Sequence, residues 1–225
     1  MIHPYQYVSA QEALSIIESN QRVFVHGSAC TPIYMLQQLA LQAPRLRNVE
    51  LVFITVHGDL EVVKPEYADS FNINCMFVST SVREAVNAGR ADFIPVFLSD
   101  IPDLFKKNIL PIDVAIVQVS PPDQHGYCSL GVSVDIARSA VNTARYVIAQ
   151  VNPKMPRTFG DGIMHVSEID YLVEVDTPIY THEPEPFTVE EEKIGGFIAS
   201  LIEDRSTLQM GIGSIPNAAL SKLKN

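Results

Sequence analysis

Near the end of the sequence, Gly211, Ile212, Gly213, Ser214, Ile215 and Pro216 form the stretch best suited to hold a ligand. Glycines let the backbone turn sharply and come close to a bound group. Proline suits the first helical position, where its missing N–H would have no partner anyway. Free N–H groups at a helix start hold an anion or a developing negative charge. Residues 207–210 predict a strand and residues 217–223 a helix, which makes a strand-to-helix corner of the kind where α/β folds bind ligands. A plain tight turn would carry the same residues. The spacing approaches the dinucleotide fingerprint, but Pro216 stands at the third glycine, and the acidic residue sought about 20 positions later would fall past Asn225.

Three other loops each follow a strong predicted strand. They are residues 27–32 with Gly27 and Ser28, residues 120–126 with Asp123 and Gly126, and residues 152–162 opening on Asn152. Ligands in open α/β sheets sit outside the carboxyl ends of the strands, so these loops are expected to share one crevice. Taken singly, each is equally suited to being a structural connection. His26, His57, His125 and His165 lack the i, i+4 spacing of a helical metal pair and lie near no cysteine at zinc spacing, so no metal is expected. They read as solvated or hydrogen-bonded loop residues. Neither Ser28 nor Ser214 stands in G-x-S-x-G, which leaves a nucleophile elbow unsupported. The acidic run Glu190, Glu191 and Glu192 belongs to a helix start, where it complements the dipole.

The elements that must position these loops alternate as in an α/β domain. Ser9 and Glu12 have capping-box spacing and open a helix near residue 10. Strands are predicted at 22–26, 49–56, 74–78, 92–97, 113–119, 146–151 and 172–175, several of them β-branched and nearly continuous, as strands buried on both faces are. Pro95 assigns 92–97 to an edge or a strand end. Helices are predicted near 33–40, 81–88, 101–107 and 133–144. The expectation is a mostly parallel open sheet with helices on both faces. Residues 177–186 carry three prolines and two acidic residues and read as a linker.

After it the opening pattern returns. Thr188 and Glu191 again have capping-box spacing, and helix, strand, glycine turn and helix follow. At a shift of 184 residues, Gly27 meets Gly211, Pro32 meets Pro216, Leu36 meets Leu220 and Leu39 meets Leu223. The matches fall on the turn glycine, the helix-opening proline and the apolar helix positions. The organisation read from this is an α/β domain over 1–184 and the first elements of a second, similar domain over 185–225.

The bulk properties narrow the partners. At 47% hydrophobic and 19% charged, the chain has ample material for a core. A net charge of −10 disfavours nucleic acid, whose phosphates require clustered Lys and Arg. No apolar run is long enough for a bilayer, no polybasic run suits a membrane surface, and the first residues lack signal-peptide character. Cys30, Cys75 and Cys128 are odd in number and widely spaced, unlike a disulfide framework. A cytoplasmic protein is expected.

Three segments together are more specific than any one. Residues 120–126 (SPPDQHG) with Ser129, Leu130 and Gly131, residues 150–158 (QVNPKMPRT) and residues 209–217 (QMGIGSIPN) resemble the acetyl-CoA hydrolase/transferase family, most of all its branch using 4-hydroxybutyrate, butyrate or acetate. The likeness runs through essentially the whole chain. It implies two similarly folded α/β domains that move coenzyme A between carboxylic acids by ping-pong chemistry. A glutamate attacks the acyl-CoA, and a glutamyl-CoA thioester forms through anhydrides. It also implies that coenzyme A lies against Gly211, Ile212, Gly213, Ser214 and Ile215. Coenzyme A and acyl-CoA would be substrates beside a short-chain carboxylate, with no permanently bound cofactor, and the protein would form a homo-oligomer, a dimer.

In that family the nucleophilic glutamate lies beyond the glycine loop, past Asn225, and no glutamate among these residues matches its motif. The chain alone is therefore expected to be inactive. A hydrolase of the same family, or a non-catalytic module that binds coenzyme A or a nucleotide or only dimerises, are the alternatives.

Overall fold

A computed structural model describes residues 6–181 and 185–223. The chain divides into two compact units, Met1–Tyr180 and Thr181–Asn225.

The first unit is built on a seven-stranded sheet of β1 (Arg22–Val25), β2 (Val49–Phe53), β3 (Phe71–Cys75), β4 (Ala91–Phe93), β5 (Val114–Val119), β7 (Tyr146–Val151) and β9 (Tyr171–Glu174). The strands lie in the order β4-β3-β2-β1-β5-β7-β9, and every pairing is parallel. The chain builds outward from β1 to β4, then returns to the other side of β1 with β5. The topological switch point is therefore the gap between β1 and β5.

Period-two alternation divides the core in two. On β5, Val114 and Ile116 join one cluster with Leu14 of α1 (Ala10–Leu14), Leu36 and Leu39 of α2 (Ile33–Ala40) and Val82 of α3 (Thr80–Asn87). Ala115, Val117 and Val119 point the other way, to Ile101 and Phe105 of α4 (Ile101–Lys106) and Ala140 of α5 (Ala137–Thr143). Helices thus cover both faces, as the sequence predicts. Ser9 caps α1 by accepting from the Glu12 N–H at 3.1 Å. Strand β4 is an edge strand and ends before Pro95.

A two-stranded antiparallel ribbon of β6 (Tyr127–Ser129) and β8 (Ile163–His165) directly follows two of the predicted loops. Helix α5 begins four residues later than predicted, because the Asp135 carboxylate accepts from the Ile136 and Ala137 N–H groups and holds the turn ahead of it. Among the described residues no helix is long and apolar enough to cross a membrane.

The second unit holds α6 (Val189–Ser200) and α7 (Ser214–Ser221). Thr188 and Glu191 complete a capping box at the start of α6. Gly195 brings the two helices together, since a Cβ there would lie 2.7 Å from the Ala218 carbonyl carbon. Two predictions fail in this unit. Residues 207–210 form no strand, because a parallel strand exists only through neighbours and the described residues of this unit contain none to pair with. Pro216 is the third residue of α7 and not its first, Gly213 serving as N-cap. Of the predicted linker, residues 182–184 lie outside the described residues.

Candidate functional site

The three loops expected to share a crevice follow β1, β5 and β7, which are consecutive neighbours in the sheet, so they meet along its carboxyl edge. A buried polar network ties them. The amide oxygen of Gln118 accepts from Gln150 Nε2 and from Asn152 Nδ2, both at 2.9 Å. Gln118 and Gln150 are register partners on β5 and β7. The Gln150 oxygen in turn accepts from the Met35 N–H at 3.3 Å, in the first turn of α2. Asn152 is fully buried, donates to the Thr177 carbonyl at 2.8 Å and accepts from the Lys154 N–H at 3.0 Å. Its role is to shape the loop after β7. The network fixes the strand ends in relation to one another, since an orphaned amide there would cost roughly 1–3 kcal/mol.

His26 directly follows β1 and is fully buried. Its Nδ1 accepts from the Gln118 N–H at 3.1 Å, and Nε2 donates to the Ser133 carbonyl at 2.5 Å. A ring that accepts at one nitrogen and donates at the other is neutral, and burial holds its pKa below the ordinary 6.5. His26 is thus a buried structural tie between strands, not a solvated loop histidine.

Gly27 and Ser28 turn the chain out of β1. A Cβ on Gly27 would sit 2.6 Å from the Thr55 carbonyl oxygen, so only glycine lets the ends of β1 and β2 come this close. Ser28 is left-handed at φ 53, donates its N–H to Thr55 at 2.9 Å and places its hydroxyl 3.0 Å from that of Thr55. A non-glycine residue in that region stores strain, a recurring property of ligand sites. Thr31 extends the hydroxyl cluster, donating to the Ser28 carbonyl at 2.7 Å and accepting from the His57 N–H at 3.1 Å.

Asp123 organises the loop after β5. One carboxylate oxygen accepts from the His125 and Tyr127 N–H groups at 2.8 and 3.0 Å, and the other pairs with Arg157 at 2.9 Å. The two backbone bonds, more than the Arg157 charge, hold its pKa below the usual carboxylate range. Gly126 turns the loop back at φ 84. Both residues shape the loop, and the Asp123–Arg157 pair links it to the loop after β7. Burial pushes the Cys30 thiol up to about 11 and the Cys128 thiol up to about 12, so neither is a thiolate nucleophile near neutrality.

In the second unit the glycine loop is exposed, Ile212 completely so. Gly213 at φ 143 turns the chain into α7, whose start has no side-chain cap for the Ser214 and Ile215 N–H groups. Ile212, Gly213 and Ser214 line an open groove of about 900 Å³, with Phe187, Glu191 and Asn217 on its other walls. The Ser214 hydroxyl donates to Glu191, and together with the Thr188 bonds this lowers the Glu191 pKa. Gly211 and Ile215 flank this lining in sequence, Ile215 partly exposed.

A doubly covered parallel sheet, with polar loops gathered at a switch point, has the architecture of an α/β CoA-transferase. The model of the acetyl-CoA hydrolase/transferase N-terminal domain matches residues 3–181, and the chain belongs to that family. It is 43% identical over its whole length to the 4-hydroxybutyrate coenzyme A transferase of Clostridium kluyveri, of which it spans 52%. It is 38% identical to the succinyl-CoA:acetate/propanoyl-CoA:succinate CoA transferase of Fasciola hepatica, over 96% of this chain and 46% of that protein. The crystal structure of a 4-hydroxybutyrate CoA-transferase from Porphyromonas gingivalis superposes with a TM-score of 0.80 at 32% identity, covering 97% of this chain and 51% of that one. The chain thus spans about half the length of the curated relatives it matches.

Sequence reasoning passed over Gln118 and Gln150. Their signal was available: each is a polar residue, second from the end of an otherwise apolar strand.

Proposed function

We propose that this chain is the first half of an acyl-CoA:carboxylate CoA-transferase acting on short acyl groups of the 4-hydroxybutyrate, butyrate or acetate kind. Coenzyme A binds along Gly211, Ile212, Gly213, Ser214 and Ile215. The observation that carries this is the exposed glycine loop on an open groove, at a helix start that no side chain caps. Such a terminus favours the phosphates of the nucleotide or the oxyanion of a reacting thioester. Backbone donors aimed at an oxyanion contribute roughly 2.7–4 kcal/mol each in enzymes where one has been removed.

In this reading a glutamate outside these 225 residues attacks the acyl-CoA carbonyl and expels the CoA thiolate, leaving a mixed anhydride. The thiolate then attacks the glutamyl carbonyl and releases the first carboxylate, and the second acid reverses both steps. Contacts to the remote nucleotide and pantetheine supply binding energy that is spent at the reacting carbonyl. The three buried free cysteines fit a reducing compartment, the cytoplasm. Exposed Phe197 on α6 and Leu201 at its C-cap support a homo-oligomer.

The test is turnover. The 225-residue chain mixed with butyryl-CoA and labelled acetate should show no exchange, and a protein extended to the length of its relatives should show exchange and form a borohydride-sensitive glutamyl thioester. Exchange by the short chain, or an active extended protein without that adduct, would contradict the proposal.

A further inference from the structure

Helices α6 and α7 touch at two levels, one apolar and one polar. At the first, Gly195 packs directly on Ala218. One turn earlier on each helix, the Ser214 hydroxyl donates to the Glu191 carboxylate. Residues four apart lie on one helix face, so a single stripe of α6 holds a single stripe of α7 at both levels. The two oxygens of Glu191 have separate partners. Oε2 accepts from the Thr188 N–H at 2.8 Å and from the Thr188 hydroxyl at 3.1 Å, which closes the capping box of α6. Oε1 accepts from Ser214, 23 residues further along the chain. Ser214 is the first residue of α7 and directly follows Gly213, at a helix start without a side-chain cap. Glycine loses more freedom on ordering than any other residue, and fixing one residue's backbone costs roughly 1–2 kcal/mol. In a free loop that cost subtracts from the affinity for a ligand. A loop already tied to a helix avoids it.

We infer that Glu191 is a positioning residue of the coenzyme A site: through Ser214 it ties the glycine loop to α6 and presets the backbone that the ligand meets. The inference rests on the reading of that loop as the coenzyme A contact. Glu191 and Ser214 line the same groove as Ile212 and Gly213, so the tie lies within the site and not behind it. One carboxylate thus serves two helix starts, closing the cap of its own helix and fixing the first residue of the next. A carboxylate that acted only by its charge would repel an anionic ligand, and its removal would tighten binding. A positioning carboxylate has the opposite signature.

The test titrates coenzyme A into the 225-residue chain and its variants as a double-mutant cycle. Ser214→Ala leaves the capping box of α6 intact and should weaken binding about fivefold or more. Glu191→Ala should weaken it by a similar factor, and the double variant no further than either single one, because all three lose the same tie. Glu191→Gln should restore the affinity to within about twofold of wild type, since its amide can accept from Thr188 and donate to the Ser214 hydroxyl. Hydrogen exchange without ligand supplies a second readout. The Asn217 N–H bonds the Gly213 carbonyl at 3.3 Å, and its exchange should quicken in both alanine variants and not in Glu191→Gln. Losses that add in the double variant, binding by Glu191→Ala as tight as wild type or tighter, a glutamine variant as weak as the alanine, or unchanged exchange at Asn217 in Ser214→Ala would each overturn the inference. Each of these leaves the coenzyme A reading standing as long as the wild-type chain binds. A wild-type chain that binds no coenzyme A removes that reading and the inference with it.

Discussion

The helix, turn and helix at residues 10–40 and those at residues 189–221 use one pattern with opposite results. At the 184-residue shift, Ala10, Ala13 and Ile17, at most 4% exposed, correspond to Ile194, Phe197 and Leu201, at 39, 71 and 82%. On the turn side, Phe24 is buried and its counterpart Leu208 is 41% exposed. Positions that α1 and β1 bury against a sheet are apolar in the second unit and lie uncovered. The comparison teaches that a helix closes its hydrogen bonds within itself and needs only a packing partner, here α6 against α7, whereas the intervening strand forms only where neighbours complete its ladder. β1 has β2 on one side and β5 on the other. Residues 207–210 have the composition of a strand and lack the sheet. We propose that this is one repeated unit, completed in the first case and awaiting its sheet in the second.

Matched substitutions can break that comparison. The largest effect is expected at the helix positions. Ile17→Ala removes a fully buried side chain and should cost about 2–5 kcal/mol. Leu201→Ala should change stability by less than about 0.5 kcal/mol, both read by denaturant unfolding. Equal costs would mean that the second unit already buries its equivalent face.

The matched glycines come next. A Cβ on Gly27 would meet the Thr55 backbone at 2.6 Å, and one on Gly211 meets nothing closer than 3.9 Å. Gly27→Ala should lower stability by about 1–3 kcal/mol, and Gly211→Ala should leave the melting temperature nearly unchanged.

The smallest effect is a pH slope. His26 corresponds to Met210 at the same shift. Its folded pKa lies below 6.5, so below about pH 6.5 the unfolded chain binds a proton that the folded chain excludes. Stability should therefore fall as the pH drops from 6.5 toward the folded pKa. His26→Met, which installs the residue of the second unit, should flatten that slope in unfolding curves taken between pH 7.5 and 5.5. A slope that survives the substitution would assign it to other groups.

Much of the first unit was legible in its residues. The apolar β-branched runs at β2, β5 and β7, and Pro95 at an edge strand, follow from local chemistry. The ribbon of β6 and β8 was not, because three residues per strand carry no readable alternation. It is set by distant contacts, such as the Ser129 hydroxyl donating to the Thr158 carbonyl at 3.0 Å. The loops were legible as neighbours, through the switch-point rule. The ties between them were not, since no spacing in the sequence pairs His26 with Gln118 or Tyr180 with His57. Gly213 was legible as a turn, but the place of Pro216 in α7 depends on where the helix starts, and that is set by the cap.

The central claim is that coenzyme A lies on the glycine loop of the second unit. Isothermal titration of coenzyme A into the chain and into Gly213→Ala tests it directly, because an alanine at φ 143 is strained and redirects the start of α7. The account predicts saturable binding to the wild-type chain and at least a tenfold loss in the variant. Equal affinity for both, or no binding to the wild-type chain, would contradict it.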